Sequence, residues 1–219
     1  MLRIAIDGAT RRNGKPDCVA AGGVFIMHFN DERELLFTDT CSVYERVSTN
    51  QRGELLALLK ALDYVHAADQ EAQIITDSEY LFNAMTKGWC DKWVHSNWIS
   101  STGAPVKNAD IWREIHHAVS KCKEVVFFHI KGHVIPFGRV TADNMLTKDP
   151  TGLILYSEAW KKFDLVAPVK KDTLDYAQEL SVKNNGFMLP RPTLQQFVAA
   201  NVVADAIATK VVDAADRNI

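Results

Sequence analysis

The sequence lacks any apolar run near the roughly 20 residues that a membrane-spanning helix needs, and it has no C-x-x-C pair. The four cysteines, Cys18, Cys41, Cys90 and Cys122, are widely scattered. Their spacing argues against a zinc site and against a disulfide framework. The N-terminus, MLRIAIDGAT, is too short and too soon acidic for a signal peptide. We therefore expect reduced thiols, no membrane partner and a cytoplasmic location.

An excess of positive charge is also missing. The chain has 25 Lys and Arg against 27 Asp and Glu, a formal net charge of −2. Domains that bind nucleic acid through their overall charge are usually strongly basic. Any nucleic-acid partner must therefore be held by local groups or by metal. At 219 residues the chain is long enough for one core and an extension, since a domain commonly takes about 100 to 200 residues.

Short apolar runs and helical periodicity alternate over the first two thirds of the chain. The predicted strands are RIAI, GGVFIMHF, ELLFTDTCSVY, AQIIT and EVVFFHI. Helical patterns follow Asn50 and Ser78, and a further one follows Asn108, which is a candidate N-cap. The order β-β-β-α-β-α-α-β-α predicts an α/β fold with a five-stranded mixed sheet flanked by helices, because parallel strands need crossover helices.

The chain changes character after about residue 164. A Pro-flanked linker, LPRP, precedes the capping box Thr193-Leu-Gln-Gln196, and an apolar stripe follows it. We predict a first domain at residues 1–164 and a C-terminal extension at residues 165–219, with a linker and one amphipathic helix. An apolar stripe most often packs on its own chain. Docking on the body is therefore favoured over pairing with a second copy, and pairing over contact with nucleic acid.

Two of the predicted strands end in an acid, Asp7 and Asp77. In α/β folds the reactive site usually lies beyond the carboxyl ends of strands, so these acids would be close if their strands are neighbours. Glu54 lies near the start of a predicted helix, on the face that meets the sheet. Each acid alone has an ordinary alternative: a turn at Asp7, an N-cap at Asp77 and a helix-dipole partner at Glu54.

Together, three carboxylates at one edge of the core would repel one another, and their burial would add a desolvation cost. A divalent cation removes this conflict. Oxygen ligands favour a hard ion, Mg²⁺ or Mn²⁺, over zinc. Two such ions about 4 Å apart suit in-line displacement at a phosphodiester.

Five motifs occur in one order along the chain. They are IDGAT at 6–10, STNQRGELLALLKAL at 48–62, ITDSEYL at 75–81, PVKNADIW at 105–112, and KGH followed by TAD within 131–143. With these motifs and separations the chain resembles the type 1 class of ribonuclease H. The resemblance implies a ribonuclease H fold and an endonuclease that hydrolyses the RNA strand of RNA/DNA hybrids. It also implies 5′-phosphate and 3′-hydroxyl ends, with two Mg²⁺ ions as cofactors and Mn²⁺ as the alternative.

The resemblance assigns roles to individual residues. By motif position, Asp7, Glu54, Asp77 and Asp143 would be the metal-binding carboxylates. His133 would lie in a loop that assists proton transfer and product release. The expected substrate contacts are the Gly8 backbone amide near the scissile nucleotide, Thr49, Asn50 and Gln51 at the hybrid backbone and minor groove, and Trp89 against the DNA strand.

Several positions depart from the family pattern. Arg139 stands where the family often has an Asn four residues before its last acid, and Glu79 stands where many relatives have Gln. The segment WCDKWVHSNWISSTG lacks the Lys and Arg run of the family's basic handle. Fewer phosphate contacts predict weaker hybrid binding and a shallower salt dependence. For Trp93 and Trp98 we favour core packing over substrate contact.

Two residues near the KGH motif receive structural interpretations. His129 shares the strand alternation of Phe127, and Gly132 lets the chain turn out of the sheet and frees His133. Two alternative functions stay open: a ribonuclease H-fold nuclease with another nucleic-acid substrate, and a non-catalytic hybrid-binding module. The four carboxylates argue against the second. No obligate protein partner is evident.

Overall fold

The structure is a computed structural model that describes residues 1–13, 15–46, 48–132, 146–148, 154–156 and 171–217. The strands are β1 (Leu2–Arg11), β2 (Val19–Phe29), β3 (Leu35–Arg46), β4 (Ala72–Thr76), β5 (Val125–His129), β6 (Leu146–Lys148) and β7 (Ile154–Tyr156). The helices are α1 (Asn50–Ala68), α2 (Glu79–Thr86), α3 (Trp89–His95), α4 (Ala109–Val119), α5 (Lys171–Asn185) and α6 (Arg191–Asp216). Among the described residues no helix is long and apolar enough to cross a membrane.

The first five strands form one sheet in the order β3-β2-β1-β4-β5. The three strands of the meander pair antiparallel, whereas β1 pairs with β4, and β4 with β5, in parallel. This mixed sheet with flanking helices confirms the predicted fold. The short strands β6 and β7, which the sequence did not predict, pair antiparallel with each other outside this sheet.

Helices cover both faces of the sheet. Alternate residues of β1 point to opposite faces, so Ile4 and Ile6 pack in the core that includes α1, while Ala5 packs in the core that includes α6. Every residue of β2 is buried. That explains its nearly continuous apolar sequence, because a strand covered on both faces has no solvent-facing side.

Two adjacent glycines in β2 let the helices come close. A Cβ atom at Gly22 would lie 2.6 Å from the carbonyl oxygen of Gly53 in α1. On the other face, a Cβ atom at Gly23 would lie 2.1 Å from the carbonyl oxygen of Ala204 in α6. The backbones of both helices therefore touch the central strands, and a side chain at either position would push a helix away.

The C-terminal helix docks on the body, as its apolar stripe predicted. Its buried side chains pack with residues of β1, β2, β4 and β5, and Arg11 of β1 forms an ion pair with Asp213 at 2.6 Å. The predicted boundary at residue 164 falls outside the described residues and stays a prediction. Beyond that boundary, α6 shares one core with the sheet.

Of two helix starts predicted from candidate caps, one differs from the structure and the other agrees in position. The α6 helix begins at Arg191 with Pro190 as its N-cap, rather than at the capping box of Thr193. Pro192, in the first turn, fits there because the N–H that proline lacks would be unpaired in any case. Asn108 does occupy the N-cap position of α4, but in a left-handed conformation (φ 58°) and without a side-chain cap bond.

Candidate active site

Asp7 lies at an opening in the sheet. The strand β1 runs on to Arg11, past the end predicted at Asp7, because β2 pairs with it along its whole length. Its parallel pairing with β4 nevertheless stops at Ala5 and Ile75. The Asp7 side chain, which is 7% exposed, therefore sits just beyond the last paired residues of β4. One of its oxygens, Oδ1, accepts the Gly8 N–H at 2.7 Å.

Glu54 reaches the same place from α1. A Cβ atom at Gly8 would lie 2.6 Å from the Glu54 nitrogen, so glycine is needed for the helix to lie this close to β1. The Glu54 carboxylate accepts hydrogen bonds from Ser78 Oγ and, at 3.2 Å, from Asn50 Nδ2. The first turn of α1 contains no acid, so the helix-dipole alternative for Glu54 does not describe its environment.

Asp77 follows β4 directly, next to the strand that carries Asp7. The N-cap of α2 is Ser78, whose hydroxyl accepts the Leu81 N–H at 3.4 Å. The alternative interpretation of Asp77 as the N-cap is therefore wrong. The Asp77 carboxylate lies against Gly132, where an added Cβ atom would be 1.8 Å from Oδ2. The parallel strands thus bring Asp7 and Asp77 to one edge, as predicted.

A fourth acid comes from α6. Asn201, which is 3% exposed, donates from Nδ2 to Asp7 Oδ2 at 3.4 Å. Asp205 lies four residues later on the same helix face, and its charge raises the pKa of Asp7. Sequence reasoning missed both residues. A signal was present: Asn201 and Asp205 have the Asn-to-Asp spacing of four that the family often has before its last acid and that Arg139 and Asp143 lack.

Burial and mutual repulsion dominate the electrostatics of the site. Burial raises the pKa of Asp7 well above its ordinary value, and the charges of Asp77, Asp205 and Glu54 raise it further. Burial also raises the pKa of Glu54 to about 7, against a lowering by the Ser78 hydrogen bond and a further rise from Asp77. Asp7 is therefore the centre of the cluster, because the charges of the other three acids all act on it.

Such a cluster fits a hard divalent cation in its donor chemistry, because its ligands are all oxygens and their repulsion would be relieved by positive charge. Among the described residues, no three His, Cys, Asp or Glu side chains converge closely enough to hold one ion as they stand. Glu54 is turned toward Ser78 and Asn50 instead. Asp143, His133 and Arg139 lie outside the described residues.

Residues 2–149 match the RNase H family model. The chain belongs to the type 1 ribonuclease H family. It is 36% identical over 142 residues to ribonuclease HI of Rickettsia prowazekii (strain Madrid E), a match covering 65% of this chain and 86% of that protein. It is 32% identical over 132 residues to ribonuclease H of Clostridium botulinum (strain Hall), covering 59% of this chain and 82% of the relative.

Solved structures agree with this ribonuclease H in fold. LC9-RNase H1, described as a type 1 RNase H with the type 2 active-site motif, superposes with a TM-score of 0.53 at 18% identity, covering 91% of this chain and 84% of that one. The PFV RNase H domain gives a TM-score of 0.51 at 18% identity, covering 84% of this chain and 93% of its own. At such identities the likeness shows the fold alone.

Three of the five predicted substrate contacts lie at the start of α1. Thr49 is the N-cap of α1, and Asn50 follows it. The Gln51 Oε1 atom is buried and has no hydrogen-bond partner within the described part of the chain. A buried acceptor without a hydrogen bond destabilises the folded protein. A donor from a bound ligand would remove this cost, as expected for a substrate contact. The Gly8 N–H, expected near the scissile nucleotide, donates to Asp7 instead.

The tryptophans of the segment at 89–103 pack against the core, although most of the other residues in it are exposed. Trp98 is 9% exposed, and Trp93 stacks edge-on against Trp112 with ring centroids 5.4 Å apart. These contacts confirm the predicted core packing of both residues. Trp89, the predicted DNA contact, is only partly buried, and Glu79 is exposed at the start of α2.

Without metal, the protein is expected to become less stable as the pH rises from 4.5 toward about 7. The folded state holds the Glu54 proton to a higher pH than the unfolded chain, so unfolding is favoured as pH rises in this range. A pKa shift of this size lowers the free energy of unfolding by about 3 kcal/mol across this pH range. Thermal unfolding in EDTA at several pH values measures it. In Glu54→Gln, which cannot ionise, the part of the slope due to Glu54 should vanish, while Asp7, whose pKa is also raised by burial, keeps its own part. Equal slopes in the two proteins would contradict the assignment.

Proposed function

We propose that this ribonuclease H is an endonuclease that hydrolyses the RNA strand of RNA/DNA hybrids and leaves 5′-phosphate and 3′-hydroxyl ends. The proposal rests above all on the arrangement of acids around Asp7, whose pKa is raised by the charges of Asp77, Asp205 and Glu54 as well as by burial. Two Mg²⁺ ions, with Mn²⁺ as the alternative, would activate the attacking water and stabilise the leaving oxygen. The other steps depend on how the chain holds its carboxylates and its substrate.

We assign the fourth carboxylate to Asp205 rather than to Asp143. Asp205 acts electrostatically on Asp7, and its helix neighbour Asn201 is bonded to the same side chain. Both Asp7 oxygens are thus held, Oδ1 by the Gly8 N–H and Oδ2 by Asn201. A carboxylate fixed at both oxygens keeps its remaining lone pairs in constant directions, and such outer partners are typically important for metal affinity.

Substrate recognition would fall to the polar start of α1. A 2′-hydroxyl in a wide, shallow minor groove distinguishes RNA from DNA. Gln51 offers an amide whose oxygen is otherwise unpaired, and Asn50 bridges from the same turn to Glu54. A strand recognised at this turn would therefore lie beside the carboxylate cluster.

One assay tests this function. The protein is incubated with end-labelled RNA/DNA hybrid, double-stranded RNA and double-stranded DNA, each with Mg²⁺ or with EDTA. Cuts in the RNA strand of the hybrid alone, and only with metal, are expected, and Asp77→Asn should abolish them. Cleavage of double-stranded DNA would instead favour a nuclease with another substrate. Tight hybrid binding without cleavage would favour the non-catalytic alternative.

His133→Ala is expected to lower the cleavage rate by roughly tenfold to a hundredfold without abolishing it, because positioned proton transfer contributes less than the ions. Single-turnover rates on the hybrid measure the effect. His117→Ala, at an exposed position on α4, is the matched control and should cleave at the normal rate. If His133→Ala also cleaved at the normal rate, the proposed role of His133 would be wrong.

A further inference from the structure

The helix α5 lies beyond residues 2–149, the part of the chain that matches the family model, and it ends against the sheet. Its contact is with β5, which is the last strand in the sheet order and pairs with β4 on one side. An edge strand presents N–H and C=O groups that need other partners. The end of α5 supplies such partners at one residue of β5.

Asn185, the last residue of α5, binds the backbone of His129 through both the oxygen and the nitrogen of its side-chain amide. Its Oδ1 atom accepts the His129 N–H at 3.2 Å, and its Nδ2 atom donates to the His129 carbonyl at 3.5 Å. The next residue of the chain, Ile130, donates its N–H to Thr76 of β4. Because consecutive residues of a strand alternate in direction, His129 is the residue whose backbone faces outward, toward Asn185.

The side chain of His129 continues this connection into the active site. The ring is 7% exposed and lies beside Phe82, with ring centroids 5.5 Å apart. Its Nε2 atom is 3.1 Å from the carbonyl oxygen of Asp77. A carbonyl can only accept, so Nε2 carries the hydrogen and donates it. The ring therefore fixes the backbone of Asp77, one of the four clustered acids.

The same segment also touches the Asp77 carboxylate. Gly132 lies three residues beyond His129, and its Cα is so close to Asp77 that an added Cβ atom would be 1.8 Å from Oδ2 and 2.7 Å from Cγ. The position of residues 129–132 thus constrains both the backbone and the side chain of Asp77. Any shift of the end of β5 would be transmitted to that acid.

We infer that Asn185 and His129 are positioning residues for Asp77, so that the helix α5 sets the geometry of the metal-binding edge by holding the end of β5. This inference rests on the proposed function for the role of Asp77. Although α5 lies outside the matched family region, it is linked to the site by two successive sets of hydrogen bonds, from Asn185 to His129 and from His129 to Asp77.

The test compares Asn185→Ala with Gln178→Ala in the full chain. Gln178 is another side-chain amide of α5, and it donates to the Leu189 carbonyl at 3.4 Å in the turn toward α6. Both variants lose an amide hydrogen bond, and the bonds lost in Asn185→Ala are those to the His129 backbone of β5. The measurements are Mn²⁺ affinity by calorimetry without substrate, exchange of the His129 amide hydrogen by NMR, the melting temperature, and kcat and KM on the hybrid.

For Asn185→Ala we expect at least about tenfold faster exchange at His129, about fivefold weaker Mn²⁺ binding and a lower kcat with little change in KM, as outer partners of a metal site typically affect affinity. Gln178→Ala should change the melting temperature alone. If the two variants were equal in Mn²⁺ affinity and kcat, the role of Asn185 would be merely structural and the inference would be wrong.

A second pair of variants tests the ring of His129 and keeps the inference testable if Asn185→Ala does not fold. His129→Gln retains a donor for the Asp77 carbonyl, whereas His129→Phe retains the bulk beside Phe82 without the donor. Mn²⁺ binding should be near normal in the first and at least about fivefold weaker in the second; equal affinities would overturn the inference. If the unaltered protein binds Mn²⁺ but does not cleave hybrid, the proposed function fails while these affinities still decide the positioning role.

Discussion

Replacing Asp205 with asparagine is expected to slow hybrid cleavage by at least about a hundredfold, whereas Asp143→Asn should keep the rate within about threefold. The loss of one carboxylate from a metal cluster removes several kcal/mol of stabilisation, and each 1.36 kcal/mol corresponds to tenfold in rate. Asp205 belongs to the charged cluster around Asp7. Both variants replace an aspartate with asparagine, so a difference between their rates shows which acid acts in cleavage. Asp205 is the acid indicated by the tertiary structure, and Asp143 is the one indicated by motif order.

Rates should be measured with saturating Mg²⁺ and again over a Mg²⁺ titration, with circular dichroism to show that both variants are folded. Asp205→Asn should also need more Mg²⁺ to reach half of its own maximal rate. The reverse outcome, in which Asp143→Asn is inactive and Asp205→Asn is active, would mean that the motif assignment is right and that Asp205 serves packing or charge balance only.

The second large effect is expected from truncation after residue 164, which removes α5 and α6. The sheet face beneath α6 carries Ala5, Phe25, Met27 and Phe128, all buried, and truncation would expose it. The truncated chain lacks the buried α6 side chains that belong to the same core, which are Leu194, Phe197, Val198, Val203 and Ile207. At about 1.5 to 3 kcal/mol for each large side chain, the loss is comparable with the whole stability of about 5 to 15 kcal/mol of a typical domain.

The truncated chain is therefore expected to be insoluble or unfolded. A milder form of the test is Phe197→Ala, which should cost about 3 to 5 kcal/mol in urea unfolding. Its control is Val182→Ala on α5, where the side chain is 42% exposed and the cost should be below about 1 kcal/mol. A truncated chain that is soluble, folded and active on hybrid would show that the domain does end near residue 164.

Much of the site could be predicted from sequence because it depends on local patterns. Asp7 and Asp77 follow short apolar runs, and Glu54 begins the stripe of an amphipathic helix, so their positions follow from strand and helix periodicity. Parallel pairing of β1 with β4 then brings the two strand acids together. The strand end predicted at Asp7 was wrong because pairing with β2, which continues to Arg11, cannot be seen in the sequence of β1 alone.

Periodicity also identified the C-terminal helix and its apolar stripe, but it could not say which surface that stripe would cover. Asn201 is 194 residues from Asp7, and Asn185 is 56 residues from His129. Contacts between such distant residues depend on how all the intervening chain packs, which no local pattern encodes. Sequence alone thus identified three acids of the cluster and the family resemblance. Tertiary packing alone brought Asp205, Asn201 and Asn185 to the site, because it placed helices from beyond the family motifs against the open face and edge of the sheet.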